Sequence, residues 1–394
     1  IPGYDDFPVP IDEEHFPDGV FRQFVSENCD TGGDGKLSFT EAERVQSFSS
    51  FFPMGIESLE GIKYFFSLQY LYCSDNQLTD LDVSGCTALT KLECSDNQLT
   101  ALDVSGCTAL KTLTCYSNQL TSLDVSGCTA LKTLTCSSNQ LTALDVSGCT
   151  ILYYLYCSDN QLTNLDVSGC TILYDLTCSD NQLTNLDVSG CTALEYLYCY
   201  NNQLTDLDLS GCTILHDLDC SGNPLTYLNV SGCTALERLE EGLINQLTVL
   251  DVSGCTALLR LDFFGSQLTT LDASGCTALE LLKCERTQLT TLNVSGCTAL
   301  RSLGCHLNPL TYLNVSGCTA LEELNCSNNQ LTALDVSGCT ALTNLYCDGN
   351  QLTSLDLSSN TNLRVLDADY NRLNVVLDGN DAFDLSSLPN FDID

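Results

Sequence analysis

The sequence predicts an α/β repeat solenoid, with short parallel strands on a concave side, extended segments and turns on the other, and a small helical cap at the amino end. Three observations carry this reading. One phrase, clean at residues 99–119 as LTALDVSGCTALKTLTCYSNQ, recurs along the chain. Its first leucine falls at Leu78, Leu99, Leu120, Leu141, Leu162, Leu183, Leu204 and Leu225, and again at Leu247, Leu268, Leu289, Leu310, Leu331 and Leu352. The step is 21 residues except for one of 22, between Leu225 and Leu247. A fixed period in this range marks a chain of stacked supersecondary units rather than a globule. Within each copy, Leu113, Thr114 and Cys115 alternate with period two, as a half-buried strand does. Leu102, Asp103 and Val104 alternate likewise before a turn at Ser105 and Gly106, leaving no room for a helix of any length.

The inward set of one copy is Leu99, Leu102, Val104, Cys107, Leu110, Leu113 and Cys115. Burying a Leu or Val side chain is worth about 1.5–3 kcal/mol, so a coil gains only when neighbours cover both its faces. From Leu110 the copy runs Leu110-x-x-Leu113-x-Cys115-x-x-Asn118-x-Leu120, and this resembles the leucine-rich repeat consensus with cysteine in the third apolar slot. The resemblance covers roughly residues 56–372. It implies a row of buried asparagines, Asn97, Asn118 and Asn139 among them, whose amides serve backbone groups left unpaired at the bend. Gln119 and its equivalents are expected to form an amide row at the solvent edge.

Of the 26 cysteines, Cys29 stands apart, thirteen occupy the slot of Cys107 and twelve that of Cys115. An even count in a secreted chain suggests disulfides, but each of these residues replaces an inward apolar one, where a free thiol is a small hydrophobe. We expect rows of reduced thiols. Metal binding by the cysteines is disfavoured, because no C-x-x-C pair occurs and His15, His216 and His306 are far apart.

The chain carries 51 acidic and 14 basic residues, a formal charge of −37. Such charge repels nucleic acid and anionic lipid. No apolar run reaches transmembrane length. No stretch reads as a signal peptide, and the chain begins at Ile1, so a mature or trimmed form of a secreted or surface protein is expected. The Asn-x-Ser matches at Asn229, Asn293 and Asn314 read as repeat drift rather than glycosylation sites.

We divide the chain into an amino-terminal cap at 1–55, the solenoid at 56–372 and a carboxy-terminal cap at 373–394. Residues 1–10 are Pro-rich and acidic. After Pro17, the spacing of Val20, Phe21, Phe24 and Val25 predicts a short amphipathic helix. The segment from Asp30 to Glu41 resembles a twelve-residue EF-hand loop, with Asp30 at position 1, Asp34 at 5, Gly35 at 6, Lys36 at 7 through its carbonyl, Ser38 at 9 and Glu41 at 12. The departure is Gly32 at position 3, where a ligating oxygen is missing. The resemblance implies a weak or vestigial Ca2+ site that stiffens the cap. The competing reading is a capping box, Ser38-x-x-Glu41, opening the next helix. Through "FPDGVFRQFV" the segment resembles the cap of secreted repeat proteins of gut bacteria, and "IESLEGIKYFFSLQYLYCSDNQL" is similar to the opening coils of the internalins, secreted bacterial adhesins. Phe383, Leu385, Leu388, Pro389 and Phe391 are expected to close the far end.

Partner recognition should lie on the outward strand positions, which flank the second leucine and the cysteine. Tyr70 with Tyr72 and Tyr154 with Tyr156 are as consistent with strand preference as with binding. Tyr196, Tyr198 and Tyr200 share one direction and favour binding. A second candidate is the stretch where three copies break both rows: Glu241 and Phe263 take the cysteine slot, and Ser266 and Thr287 the asparagine slot. It gathers Arg238, Arg260, Lys283, Arg286 and Arg301, with Phe264, Leu281, His306 and Leu307 in outward positions. This could receive an acidic, aromatic-bearing ligand, or it could be drift, each cation paired with a neighbouring carboxylate. On the other side, Asp82, Asp103, Asp124, Asp145, Asp166, Asp187 and Asp208 recur in one slot. Like charges at about 5 Å repel by about 1 kcal/mol in water, so each carboxylate should accept hydrogen bonds at its turn; cation binding along the row is the lesser alternative.

No G-x-S-x-G elbow, phosphate-cradling glycine loop or HExxH is present, and we expect no enzyme. The leading expectation is a monomeric bacterial module for adhesion to a protein, conceivably of a host. The alternative is a glycan-binding or architectural surface protein.

Overall fold

The computed structural model describes residues 6–49, 54–240 and 246–373. Glu241 and the expected carboxy-terminal cap from residue 374 lie outside the described residues. The chain divides into two compact units, Ile1–Leu194 and Glu195–Asp394.

The first unit opens with the cap. Helix α1, Gly19–Asn28, begins where Asp18 accepts a hydrogen bond from the Phe21 N–H, and turns Phe21 and Val25 inward. Helix α2, Phe39–Arg44, begins with a complete capping box between Ser38 and Glu41. Between them Lys36–Leu37 pairs antiparallel with Val9–Pro10. The other oxygen of Asp18 accepts from the N–H groups of Glu57 and Ser58, so one carboxylate starts the helix and ties it to the first coil. Phe16, Phe21 and Phe48 are buried with Phe65, Ile56, Leu59 and Ile62 of that coil. The approach is close at Gly61, where φ is 96° and an added Cβ would lie 2.5 Å from the His15 carbonyl and the Phe16 ring. Ser47–Phe48 pairs in parallel with Tyr70–Tyr72, giving the first repeat strand an edge partner.

The coils follow the repeat. Three-residue strands at Tyr70–Tyr72, Lys91–Glu93, Thr112–Thr114, Thr133–Thr135, Tyr154–Tyr156 and Asp175–Thr177 pair in parallel, leucine opposite leucine. The opposite side is extended, with isolated bridges such as Asp82 to Asp103. The second unit repeats the scheme from Tyr196–Tyr198 to Val365–Asp367. There the opposite side also forms short parallel sheets, one at Asp206–Asp208, Tyr227–Asn229 and Val249–Asp251 and one at Thr270–Asp272, Thr291–Asn293 and Tyr312–Asn314.

The core of each unit is the stack of inward residues, with Leu99, Val104, Cys107, Leu110, Leu113 and Cys115 fully buried. All 26 cysteines are free and buried. At the Cys107 slot the thiol donates to a carbonyl 24 residues earlier, as from Cys128 to Val104 at 3.5 Å. The asparagine row behaves as the resemblance implied. Asn118 Nδ2 donates to the carbonyls of Cys94, Cys115 and Tyr116 at 3.0–3.3 Å, and its Oδ1 accepts from the Leu99 N–H at 3.0 Å. The residue before it adopts positive φ, as at Asp96, Ser117, Ser138 and Asp159. Small polar side chains tolerate that conformation best, which explains the recurring Ser or Asp there. The aspartate row is also satisfied: Asp103, Asp124 and Asp145 each accept from the N–H of the serine two residues on, at 2.9 Å. Those bonds with Ser105, Ser126 and Ser147 hold the three carboxyls below their ordinary pKa.

Candidate functional site

Outward positions on the strands of the second unit form columns. In one, Tyr196 lies opposite Asp217, Asp217 opposite Arg238, Arg238 opposite Arg260, and Arg260 opposite Leu281. In the next, Asp262 lies opposite Lys283 and Lys283 opposite Gly304. Parallel pairing of consecutive coils thus places side chains 21 or 22 residues apart in sequence side by side, at roughly the 4.8 Å spacing of paired strands.

The tyrosine triple falls on this face. Tyr196, Tyr198 and Tyr200 are half-buried while Leu197 and Cys199 between them are fully buried. The Tyr198 hydroxyl donates to Asp217 Oδ2 at 3.1 Å. Asp217, the carboxylate next in register to Arg238, is thereby engaged with a neutral partner.

The basic stretch resolves into two kinds of cation. Arg301 is paired with Glu322 at 2.8 Å, one coil on, which is the drift reading for that residue. Arg238, Arg260, Lys283 and Arg286 make no ion pair among the described side chains. Arg286 instead lies over the Phe264 ring, 5.9 Å from its centroid, a cation–π contact. Phe264 is 47% exposed and Leu307 42%. His306 is half-buried and its Nδ1 has no hydrogen-bond partner. Arg238 and Arg260 line a cavity of about 320 Å3 together with Leu239, Leu259 and Glu280. Leu259 and Glu280 were not among the residues singled out from sequence. They precede the strand by one position, a column that begins in this unit with Glu195 and His216, and following that slot along the repeat would have found them.

Beneath this surface both internal rows are interrupted. Phe263 fills a cysteine slot and is buried. Ser266 replaces an asparagine, and its buried hydroxyl has no partner. Arg286 and Leu307 occupy the positive-φ position, at 53° and 58°, where the other coils use Asp, Asn, Ser or Gly, apart from Tyr370.

In the cap loop, Asp30 accepts from the N–H groups of Gly33, Asp34 and Gly35, and Asp34 from that of Lys36. Glu41 Oε1 accepts from the Thr31 hydroxyl and the Gly32 N–H, and Oε2 from the Ser38 N–H and hydroxyl. Burial raises the Glu41 pKa, but the bonds from Ser38, Thr31 and Gly32 outweigh it and hold the carboxyl at about 2. The capping box between Ser38 and Glu41 is complete, and the same Glu41 carboxylate closes the loop onto Thr31 and Gly32. Asp30 and Glu41 converge on Gly32: a Cβ there would lie 3.7 Å from Glu41 Oε1 and 3.8 Å from Asp30 Oδ1. Lys36 lies on the short strand and Ser38 caps α2.

A parallel strand, a buried asparagine at the bend and a leucine core in every coil define a leucine-rich repeat protein. The family model described as leucine-rich repeats (2 copies) matches residues 67–106, 108–151, 173–211 and 319–360. The functional domain of internalin J from Listeria monocytogenes, which includes a cysteine ladder, is 35% identical, with a TM-score of 0.62 over 91% of this chain and 75% of that one. The chain belongs to this internalin-like group of the leucine-rich repeat family. A leucine-rich repeat protein of Leptospira interrogans is 26% identical, with a TM-score of 0.58 over 85% of this chain and 93% of that one. A comparison with curated proteins finds no match.

Proposed function

We propose that the protein is a non-enzymatic bacterial binding module, secreted or displayed at the cell surface, that takes a protein partner on the outward strand face between Arg238 and His306. The observation that carries this is the set of cations without ion pairs among the described side chains, Arg238, Arg260, Lys283 and Arg286, beside the exposed Phe264, on a chain of formal charge −37. A desolvated aromatic with adjacent arginines is the composition of an interface anchor. Positive φ at Arg286 and Leu307, side chains that tolerate it poorly, falls in the same coils; strained positions cluster at functional sites. Likeness to two bacterial proteins supports the bacterial origin.

The test replaces Arg260, Phe264 and Lys283 together with alanine and measures capture of host-cell surface proteins. Loss of capture supports the reading, and unchanged capture refutes it.

A second reading has its own observation. In the first unit Tyr153 and Tyr174 stack at 4.8 Å with planes 5° apart, and Tyr153 is 36% exposed. Beside them the Tyr156 hydroxyl donates to Asp175 at 2.8 Å. A flat aromatic face next to hydrogen-bonding groups suits the C–H face of a sugar ring. A glycan array separates the two: glycan binding abolished by replacing Tyr153 would favour it. For the cap, the convergence of Asp30 and Glu41 on Gly32 supports a weak structural Ca2+ site, with Asp34, the Lys36 carbonyl and Ser38 completing the loop.

A further inference from the structure

We propose that the cavity between Arg238 and Arg260 is a carboxylate subsite, which seats one acidic group of a peptide segment whose neighbouring apolar side chain rests toward Phe264. This deepens the protein-binding reading and rests on it.

The argument begins with register. Arg238 and Arg260 are direct partners on adjacent parallel strands, and like charges directly opposite on a sheet are unfavourable. Each could be relieved by a carboxylate in its own column, yet neither is. Asp217, opposite Arg238, holds the Tyr198 hydroxyl; opposite Arg260 on its other side stands Leu281. Two guanidinium groups thus line a cavity of about 320 Å3 that Glu280 also borders, and among the described side chains neither arginine is in an ion pair. Two arginines at adjacent register positions can both donate to one carboxylate, and hydrogen bonds between ionised partners are the strong ones.

The rest of the cavity decides what kind of anion. Leu239 and Leu259 contribute apolar surface, and Glu280 places a negative charge in the wall. Asp217, Asp219 and Asp262 share the strand face. A densely sulfated chain would meet these carboxylates on either side of the arginines and be repelled. A peptide with a single acidic group and an apolar neighbour would not. The apolar neighbour has a place: Leu281 adjoins Arg260 in register, and Phe264 is exposed with Arg286 against its ring.

The experiment pans a random dodecapeptide display library on the full chain, then measures the enriched peptides as synthetic, amidated ligands. Enriched peptides should share an Asp or Glu beside an aromatic or aliphatic residue. Changing that acid to its amide should weaken binding about tenfold or more, the size expected of a charge-assisted bidentate pair. Arg238→Gln and Arg260→Gln should each do the same, Arg260→Lys should lose part of the affinity, and Lys111→Gln in the first unit should change nothing. Both arginines are exposed, so unaltered thermal midpoints are expected and confirm folding. Binding should weaken with salt. Enrichment of acid-free peptides, or indifference of the acidic ones to both arginine variants, overturns the subsite. Heparin displacing the peptides and binding tighter than they do would overturn it in favour of a sulfated glycan. If no peptide is enriched while host proteins are still captured through Phe264 and Lys283, the subsite fails and the protein-binding reading stands. If capture also ignores the triple alanine variant, that reading fails with it.

Discussion

Thr287 Oγ donates to Asn308 Oδ1 at 2.6 Å. Elsewhere in the row that oxygen takes the N–H of the leucine opening a coil, as Asn118 does for Leu99. Here the Leu289 N–H reaches the Thr287 hydroxyl at only 3.4 Å. The threonine is an imperfect stand-in for an asparagine. We expect Thr287→Asn to restore two amide donors and stabilise the second unit by about 1 kcal/mol, the worth of a net hydrogen bond. A rise in the urea midpoint without a change of slope checks it; a lower midpoint would show that these coils no longer accommodate the amide.

Leu307 holds φ at 58° with its side chain 42% exposed. A left-handed backbone crowds the Cβ of a branched residue at a cost of about 1–2 kcal/mol. Leu307→Asn should therefore stabilise by about 0.5–1 kcal/mol, because Asn tolerates this region. If the leucine is kept for a partner, the same variant should bind less well while melting higher, and a variant that melts lower would contradict the strain argument.

Burial pushes the thiols of Cys136 and Cys178 up to about 12. In the unfolded chain a thiol titrates near 8.5. Above that pH the unfolded state has released protons that the folded state still holds, so stability falls as pH rises and continues to fall toward 12. Each such thiol contributes up to about 1.4 kcal/mol per pH unit in that window. Denaturation midpoints should drop steeply between pH 8 and 10, and native protein at pH 8 should leave a thiol reagent unconsumed until unfolded. A flat midpoint, or few reactive thiols after unfolding without reductant, would refute the reduced rows.

The cap offers an opposite pH dependence and a gain of function. Glu41, held at about 2, contributes stability above its unfolded value near 4.3 that is lost as pH falls toward 2. Gly32→Asp should supply the oxygen missing at the third loop position, since the added Cβ meets only ordinary contacts with Glu41 and Asp30. Calorimetric titration should show Ca2+ affinity raised by about tenfold or more over the parent. Equal heats for both proteins would mean that Asp30 and Glu41 do not converge on a cation.

Spacing alone revealed the repeat and the buried rows at Cys107 and Cys115 and offered the capping box at Ser38 as a competing reading, while the row at Asn118 came from the leucine-rich repeat resemblance; each depends on residues close in the chain or on a strict period. Which cations are neutralised was not legible. Arg301 finds Glu322 across one coil, whereas Arg238 makes no ion pair among the described side chains and Asp217 beside it accepts from Tyr198. Those outcomes turn on side-chain partners between columns, and a linear reading assigns columns without assigning partners. Leu259 and Glu280 escaped for a simpler reason: they sit one place before the strand, outside the alternation that was followed.

In the regular coils the asparagine reaches 24 residues back to a carbonyl and 19 back to an N–H, as Asn139 does to Cys115 and Leu120. The joint between two such coils therefore spans little more than one 21-residue period and recurs with the same kind of partner. Excising or duplicating a block from Leu99 to Gln119 would recreate it without altering a single partner. Recombination that adds or removes whole regular coils would keep this joint, whereas exchange within the irregular coils, where Thr287 stands in the asparagine row, would not.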